Sequence, residues 1–245
     1  MVEPDAAVLG TRGPLRVAAF AVVGAAVGTW FVVAPHLATL ALWPSVIVLV
    51  AGVLPATLLL ALIALPLWSW RWMLPAAAVL ALVAFGCTEA GWGLAANFAK
   101  LWAAVFVGWA FLRLFEELSW VVLVAFIVPF VDAFSVWRGP THTITTQHFA
   151  VYTSVSIAFL LPGDRSPAYL GPPDVLFFAL FLAAAARWRL RPGWTWVATA
   201  GMYSLSFVIV VAARIDGLAA LPFLSFGFLL ANADLLWRRL RRRTA

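Results

Sequence analysis

Two aspartates stand in apolar surroundings, Asp132 in FIVPFVDAFSVW and Asp174 in AYLGPPDVLFFALFLAAAA. A carboxylate at membrane depth is costly and turns toward a bundle interior or toward water. Asp132 lies fifteen residues beyond Glu117, about 22 Å along a helix. Asp174 lies thirteen residues before Arg187, about 20 Å from the same side. The two helices run in opposite directions, yet both acids reach one level, nearer the outer face of a hydrocarbon layer about 30 Å thick. Carboxylates held face to face cannot both ionise cheaply, so the pair tends to share a proton. The ionised member can activate a water while the protonated member donates to a carbonyl oxygen, a division of labour that hydrolyses amides. Asp174 follows Pro172 and Pro173, which predicts a helix start near Pro173 and places the acid in the first turn. Unpaired backbone N–H groups there favour the anion. Composition and spacing alone also fit a structural hydrogen-bonding role, a channel or a transporter.

The elements that position these acids are helices in lipid. Of 245 residues, 65% are hydrophobic and 11% charged, and a soluble domain of this size has too little interior for that composition. Apolar runs near the length of a membrane span recur throughout. The expected spans are Leu15–Val33, Leu37–Leu67, Met73–Thr88, Gly91–Leu112, Leu118–Val136, Tyr169–Ala186, Trp194–Ala213 and Leu218–Trp237. This predicts an all-α polytopic membrane bundle of 8–9 transmembrane helices. The count is eight if Leu37–Leu67 is one tilted helix, and nine if it is a hairpin broken near Pro44 or Pro55. Residues 1–245 form one integral membrane domain, with N-terminal helices over 15–117, a helix pair with its connecting segment over 118–186, and a C-terminal pair over 194–237. Within the polar connection Ser135–Pro167, the run Phe149–Leu161 suits a strand, a re-entrant segment or an interfacial element, and its β-branched and aromatic content leans toward extended structure. Any strand there must lie at the surface or against protein.

The net charge of +6 is distributed to fix topology rather than to bind nucleic acid. Placing the C-terminus inside gathers Arg12, Arg16, Arg71, Arg113, Arg187, Arg189, Arg191 and the tail arginines 238, 239, 241, 242 and 243 on the inner side, twelve of sixteen basic residues. That satisfies the positive-inside rule. No zinc-finger spacing or long basic helix accompanies them. Tryptophans at 68, 70, 72, 137, 188, 194 and 237 mark span ends at headgroup level. Cys87 is alone, and His36, His142 and His148 are too scattered to hold a metal; His142 and His148 border the cleft at most. Glu116 and Glu117 have an interfacial explanation at a helix start. Glu89 and Lys100 are expected to pair across a tight turn, or else to line a transport path.

Three stretches carry a resemblance. Val131-Asp132-Ala133-Phe134-Ser135-Val136, Leu170-Gly171-Pro172-Pro173-Asp174 and Ala219-Ala220-Leu221-Pro222 are similar, in order and helix placement, to the three motifs of the presenilin and signal peptide peptidase family of intramembrane aspartyl proteases. The small prokaryotic members are the nearest in character. The resemblance covers mainly residues 118–237. It implies a presenilin-like fold with nine helices and hence the hairpin reading of Leu37–Leu67. It also implies hydrolysis of peptide bonds within transmembrane substrates by Asp132 and Asp174. Gly171, Pro172, Pro173, Ala220, Leu221 and Pro222 would shape the cleft, without metal or cofactor. The implied partners are transmembrane helical proteins in the bilayer, and the implied location is a prokaryotic cell membrane with the C-terminus cytoplasmic. The region between the catalytic helices would hold an unwound substrate as an added strand. Three positions depart from the family pattern: Val131 stands where an aromatic is usual, Pro173 replaces the second glycine, and Ala219 replaces the first proline. Such departures also fit a non-catalytic binding protein of the same fold.

Overall fold

A computed structural model describes residues 6–139, 143, 147–163, 167–215 and 218–243. The chain is a helical bundle, and among the described residues five helices are long and apolar enough to cross a membrane. Its elements are α1 (Ala6–Val33), α2 (Leu42–Ile63), α3 (Met73–Glu89), α4 (Gly93–Phe111), α5 (Leu118–Arg138), a short α6 (Phe149–Val155), β1 (Ile157–Phe159), β2 (Ala168–Leu170), α7 (Pro172–Arg187), α8 (Pro192–Ala213) and α9 (Leu221–Arg243).

The hairpin expected in Leu37–Leu67 does not form. Residues 42–63 are one continuous helix, flanked by non-helical chain and 3₁₀ turns. Pro44 falls in the first turn, where its missing N–H has no acceptor to lose. Pro55 is absorbed by a π-helical turn at Leu49–Val53, the local widening that lets a helix pass a proline. The Ser204 hydroxyl donates to the Val50 carbonyl at 2.8 Å, so a loosened backbone group finds a partner inside the bundle.

At the centre is α7, whose Val175 and Phe178–Ala185 are buried. It touches α4, α5, α8 and α9. Alanines 183–185 let neighbouring backbones approach, the packing device of helices in lipid. Phe181 stacks on Phe228 of α9 at 4.8 Å between ring centroids. Asn232, fully buried, donates to Thr195 Oγ1 at 2.8 Å and accepts from the Arg191 amide at 3.2 Å, tying α9 to α8. α1 lies on the outside of the bundle, mostly exposed.

Basic side chains gather at one end and close the connections there. Arg113 donates to the carbonyls of Ser69, Trp70 and Arg71, Arg187 to Leu112, and Arg239 to Trp188. Asp234 pairs with Arg191 and Arg238 at 2.8 and 2.6 Å. Glu117 sits at the N-cap of α5 and accepts from the Ser119 hydroxyl at 2.9 Å.

The segment Phe149–Leu161 is extended only in its second half. Residues 149–155 are helical because Thr153 and Ser154 hydroxyls bond to backbone carbonyls within the turn. Phe149 and Tyr152, three apart and so on one face, both pack on Tyr169. β1 and β2 then pair antiparallel, with Ala158 opposite Tyr169.

Candidate active site

Asp132 and Asp174 stand on α5 and α7, which pack against each other. Asp132 lies in the last turns of α5, half-buried, and its Oδ2 accepts the Leu221 backbone N–H at 3.0 Å. Leu221 opens α9, preceded by Ala220, whose carbonyl accepts the N–H groups of Phe223 and Leu224. Alanine has no side chain to satisfy the unpaired donors of a helix start. Asp132 supplies that cap from another helix, so Leu221-Pro222 reaches the site through a backbone atom.

Asp174 is the third residue of α7. Gly171 is the N-cap, with φ −66° and ψ 143°, and Pro172 and Pro173 occupy the first two helical positions. The Asp174 amide donates to the Gly171 carbonyl at 3.1 Å. The carboxylate folds back over Gly171, whose missing side chain leaves room: a Cβ there would meet Asp174 Oδ2 at 3.2 Å. On its other side Oδ2 accepts the Tyr203 hydroxyl of α8 at 3.3 Å.

Three residues here have no counterpart in the sequence reading. The chain has three tyrosines in all. Tyr203 bonds Asp174, and Tyr169 packs against Tyr152 at 6.0 Å between centroids. Scarcity was the available signal, since three phenols in so apolar a chain need polar partners. Asn97 of α4 is the other omission. Its amide donates to the Ala158 carbonyl at 2.9 Å and accepts the Ala158 N–H at 2.7 Å. With both Ala158 groups turned to Asn97, the Ala158–Tyr169 pair is the non-hydrogen-bonded kind. The Tyr169 N–H and carbonyl therefore point to the far edge of β2, where no described residue bonds them. β1 is further held by Trp30 to the Leu160 carbonyl at 3.0 Å and Lys100 to the Ser156 carbonyl at 3.4 Å.

No protein-family model matches the chain, and neither does any curated protein or solved structure.

Lys100 does not pair with Glu89. Its ammonium turns to β1, and both side chains line a cavity of about 690 Å³ between α3 and α4 that Pro172 and Pro173 close at one end. Pro173 is exposed and Pro172 half-buried, while Ala220 and Leu221 are buried and Pro222 half-buried. His36 closes the 3₁₀ turn after α1, His148 precedes α6, and His142 lies outside the described residues. Among the described residues no three His, Cys, Asp or Glu side chains come together.

Proposed function

We propose that the chain is an integral membrane aspartyl endopeptidase that hydrolyses peptide bonds within transmembrane helices, acting through Asp132 and Asp174. The observation that carries the reading is that two carboxylates stand on helices that pack together, each fixed on one oxygen by a donor from a third element. In such a dyad one carboxylate takes a proton from water as the oxygen adds to the scissile carbonyl. The other carboxyl gives its proton to the carbonyl oxygen. Collapse of the resulting diol breaks the C–N bond, and the amine leaves with a proton from the first acid. Neither metal nor cofactor enters that sequence.

A helical substrate hides its carbonyls in hydrogen bonds, so cleavage requires local unwinding. The edge of β2 ends two residues before Pro172 and lies beside the acids, and Tyr169 offers one donor and one acceptor there. An unwound segment added to that edge keeps its backbone satisfied. The basic end of the bundle supports a topology with the C-terminus cytoplasmic, in a prokaryotic cell membrane. The motifs in which the acids stand support a presenilin-like arrangement, with residues 42–63 as one helix rather than a hairpin.

The test is reconstitution of the full chain with a panel of single-span substrates, comparing wild type with Asp132→Asn and Asp174→Asn by mass spectrometry of the products. The reading expects cleavage that either substitution abolishes, together with binding of an aspartyl transition-state analogue by the wild type. Intact substrate that co-purifies, with no analogue binding, would assign the chain to non-catalytic helix recognition. Ion or solute flux without cleavage would assign it to transport.

A further inference from the structure

Away from the aspartates, at the basic end of the bundle, two grooves meet at one arginine. The first runs between α1, α3 and α4, and is lined by Val17, Phe20, Leu80, Trp102 and Phe106. The second runs between α1, the α2–α3 connection and the starts and ends of α8 and α7, and is lined by Ala19, Leu62, Trp68, Ala186 and Pro192. Each encloses about 660 Å³. Arg16 lines both, as do Ile63 and Pro66, so the connection after α2 divides them and Arg16 stands at their junction. On α1 the first groove takes residues 13, 17 and 20 and the second takes 15 and 19. At 3.6 residues per turn those are two adjacent faces with position 16 between them.

We propose that this is a binding site for one anionic diacyl phospholipid, its phosphate on Arg16 and one acyl chain in each groove. The chemistry selects the ligand. The walls of the first groove are almost wholly hydrocarbon and those of the second mainly so, and the aromatic ladder Phe20–Trp102–Phe106, with ring centroids 5.5 and 5.7 Å apart, forms one wall of the first. Arg16 is exposed and has no hydrogen bond or ion pair with any described residue. Among the described residues no acidic side chain lines either groove. An unpaired cation above two diverging apolar channels matches a molecule with one negative head and two tails. It also explains how α1, poorly covered by protein, is held: the lipid fills the gaps between α1 and the bundle.

The experiment uses the full chain in nanodiscs of phosphatidylcholine with phosphatidylglycerol as minor component, released into the gas phase for native mass spectrometry. One phosphatidylglycerol is expected to remain bound, enriched over its share of the disc. Arg16→Ala should lower that retention about fivefold or more, the scale of one basic residue facing an anionic lipid, and Arg16→Lys should keep most of it. Val17→Trp, which fills the first groove and leaves the arginine in place, should lower it as well. Far-UV circular dichroism and melting in detergent show that each variant is folded. Arg214→Ala, at the opposite end, should retain the lipid as wild type does. The proposal is overturned if phosphatidylglycerol is retained only in proportion to its abundance, if Arg16→Ala binds it as wild type does, or if Arg214→Ala loses it equally. None of these results depends on proteolysis.

Discussion

Gly108 of α4 sets the position of the helix that carries Asp174. A methyl group there would lie 3.0 Å from the Ala179 Cβ and closer still to the Leu176 carbonyl oxygen, two residues beyond the acid. Carbon atoms in contact rest at about 3.5–4.0 Å, so Gly108→Ala requires α4 and α7 to separate by roughly 0.5–1 Å. The obstacle is backbone, which cannot rotate aside, and α7 has α8 and α9 behind it. Overpacking of this kind costs about 1–3 kcal/mol, and at about 2–4 °C per kcal/mol for a chain of this size the melting point falls by about 2–12 °C. The same shift carries Asp174 relative to Asp132, and a displacement near 1 Å at a reacting centre slows chemistry by about a hundredfold. The assay is thermal unfolding in detergent beside the rate of substrate cleavage. Gly86→Ala is the control: nothing lies within 4 Å of that position in α3, so alanine should leave melting unchanged or raise it by up to about 1 kcal/mol of helix propensity. Wild-type melting in Gly108→Ala would refute the close approach, and wild-type cleavage in a destabilised variant would refute the coupling of that approach to Asp174.

Other outcomes follow from individual bonds. Tyr203→Phe removes the donor to Asp174; a hydrogen bond to a charged group contributes about 1.5–3 kcal/mol, so cleavage should slow at least tenfold in kcat with KM little changed, and an unaltered kcat would remove Tyr203 from the site. Asn97→Ala strands the N–H and carbonyl of Ala158, and should cost about 1–3 kcal/mol and speed hydrogen exchange at the Ala158 amide; unchanged exchange would mean that β1 is held without Asn97. Asp234→Ala breaks an exposed ion network that solvent screens, so the melting point should stay close to that of wild type, and a clear drop would contradict the solvent-screened reading.

What was legible in the sequence is what lipid enforces locally. Apolar runs of span length, with arginines and tryptophans at their ends, marked the helices, and Asp132 and Asp174 stood out because charge in such runs is expensive. Distances along each helix were also readable, since rise per residue is fixed within a helix. Contacts set by helix rotation were not. Tyr203 lies in WVATAGMYSLSFVIVV, where one phenol among apolar residues looks like packing, and no local spacing relates it to Asp174. Glu89 and Lys100 are close in sequence across a turn, but the phase of α4 aims Lys100 at β1. The two prolines of residues 42–63 read as a possible break. One sits in a first turn and the other beside a π-helical turn, and both arrangements depend on partners elsewhere in the bundle.

The three departures from the family pattern share a physical property. Val131 is 60% exposed, Pro173 is exposed, and Ala219 is buried behind the start of α9. None supplies an atom that holds either carboxylate. Pro173 loses an N–H only in the first turn of α7, where no intrahelical acceptor awaits it. Gly171 keeps an extended φ of −66° with the proline pair following it. Asp132 is held by a backbone donor, the Leu221 N–H, which the exchange at Ala219 leaves in place. The divergence therefore falls on surfaces that an approaching segment would meet, at Val131 and Pro173, rather than on the bonds that orient the acids. On the proposed reading, restoring glycine at 173 changes which substrates are cut, whereas removing either carboxylate ends cutting altogether. A Pro173→Gly variant that cleaves the same panel at the same sites as wild type would separate that residue from specificity and leave the dyad argument untouched.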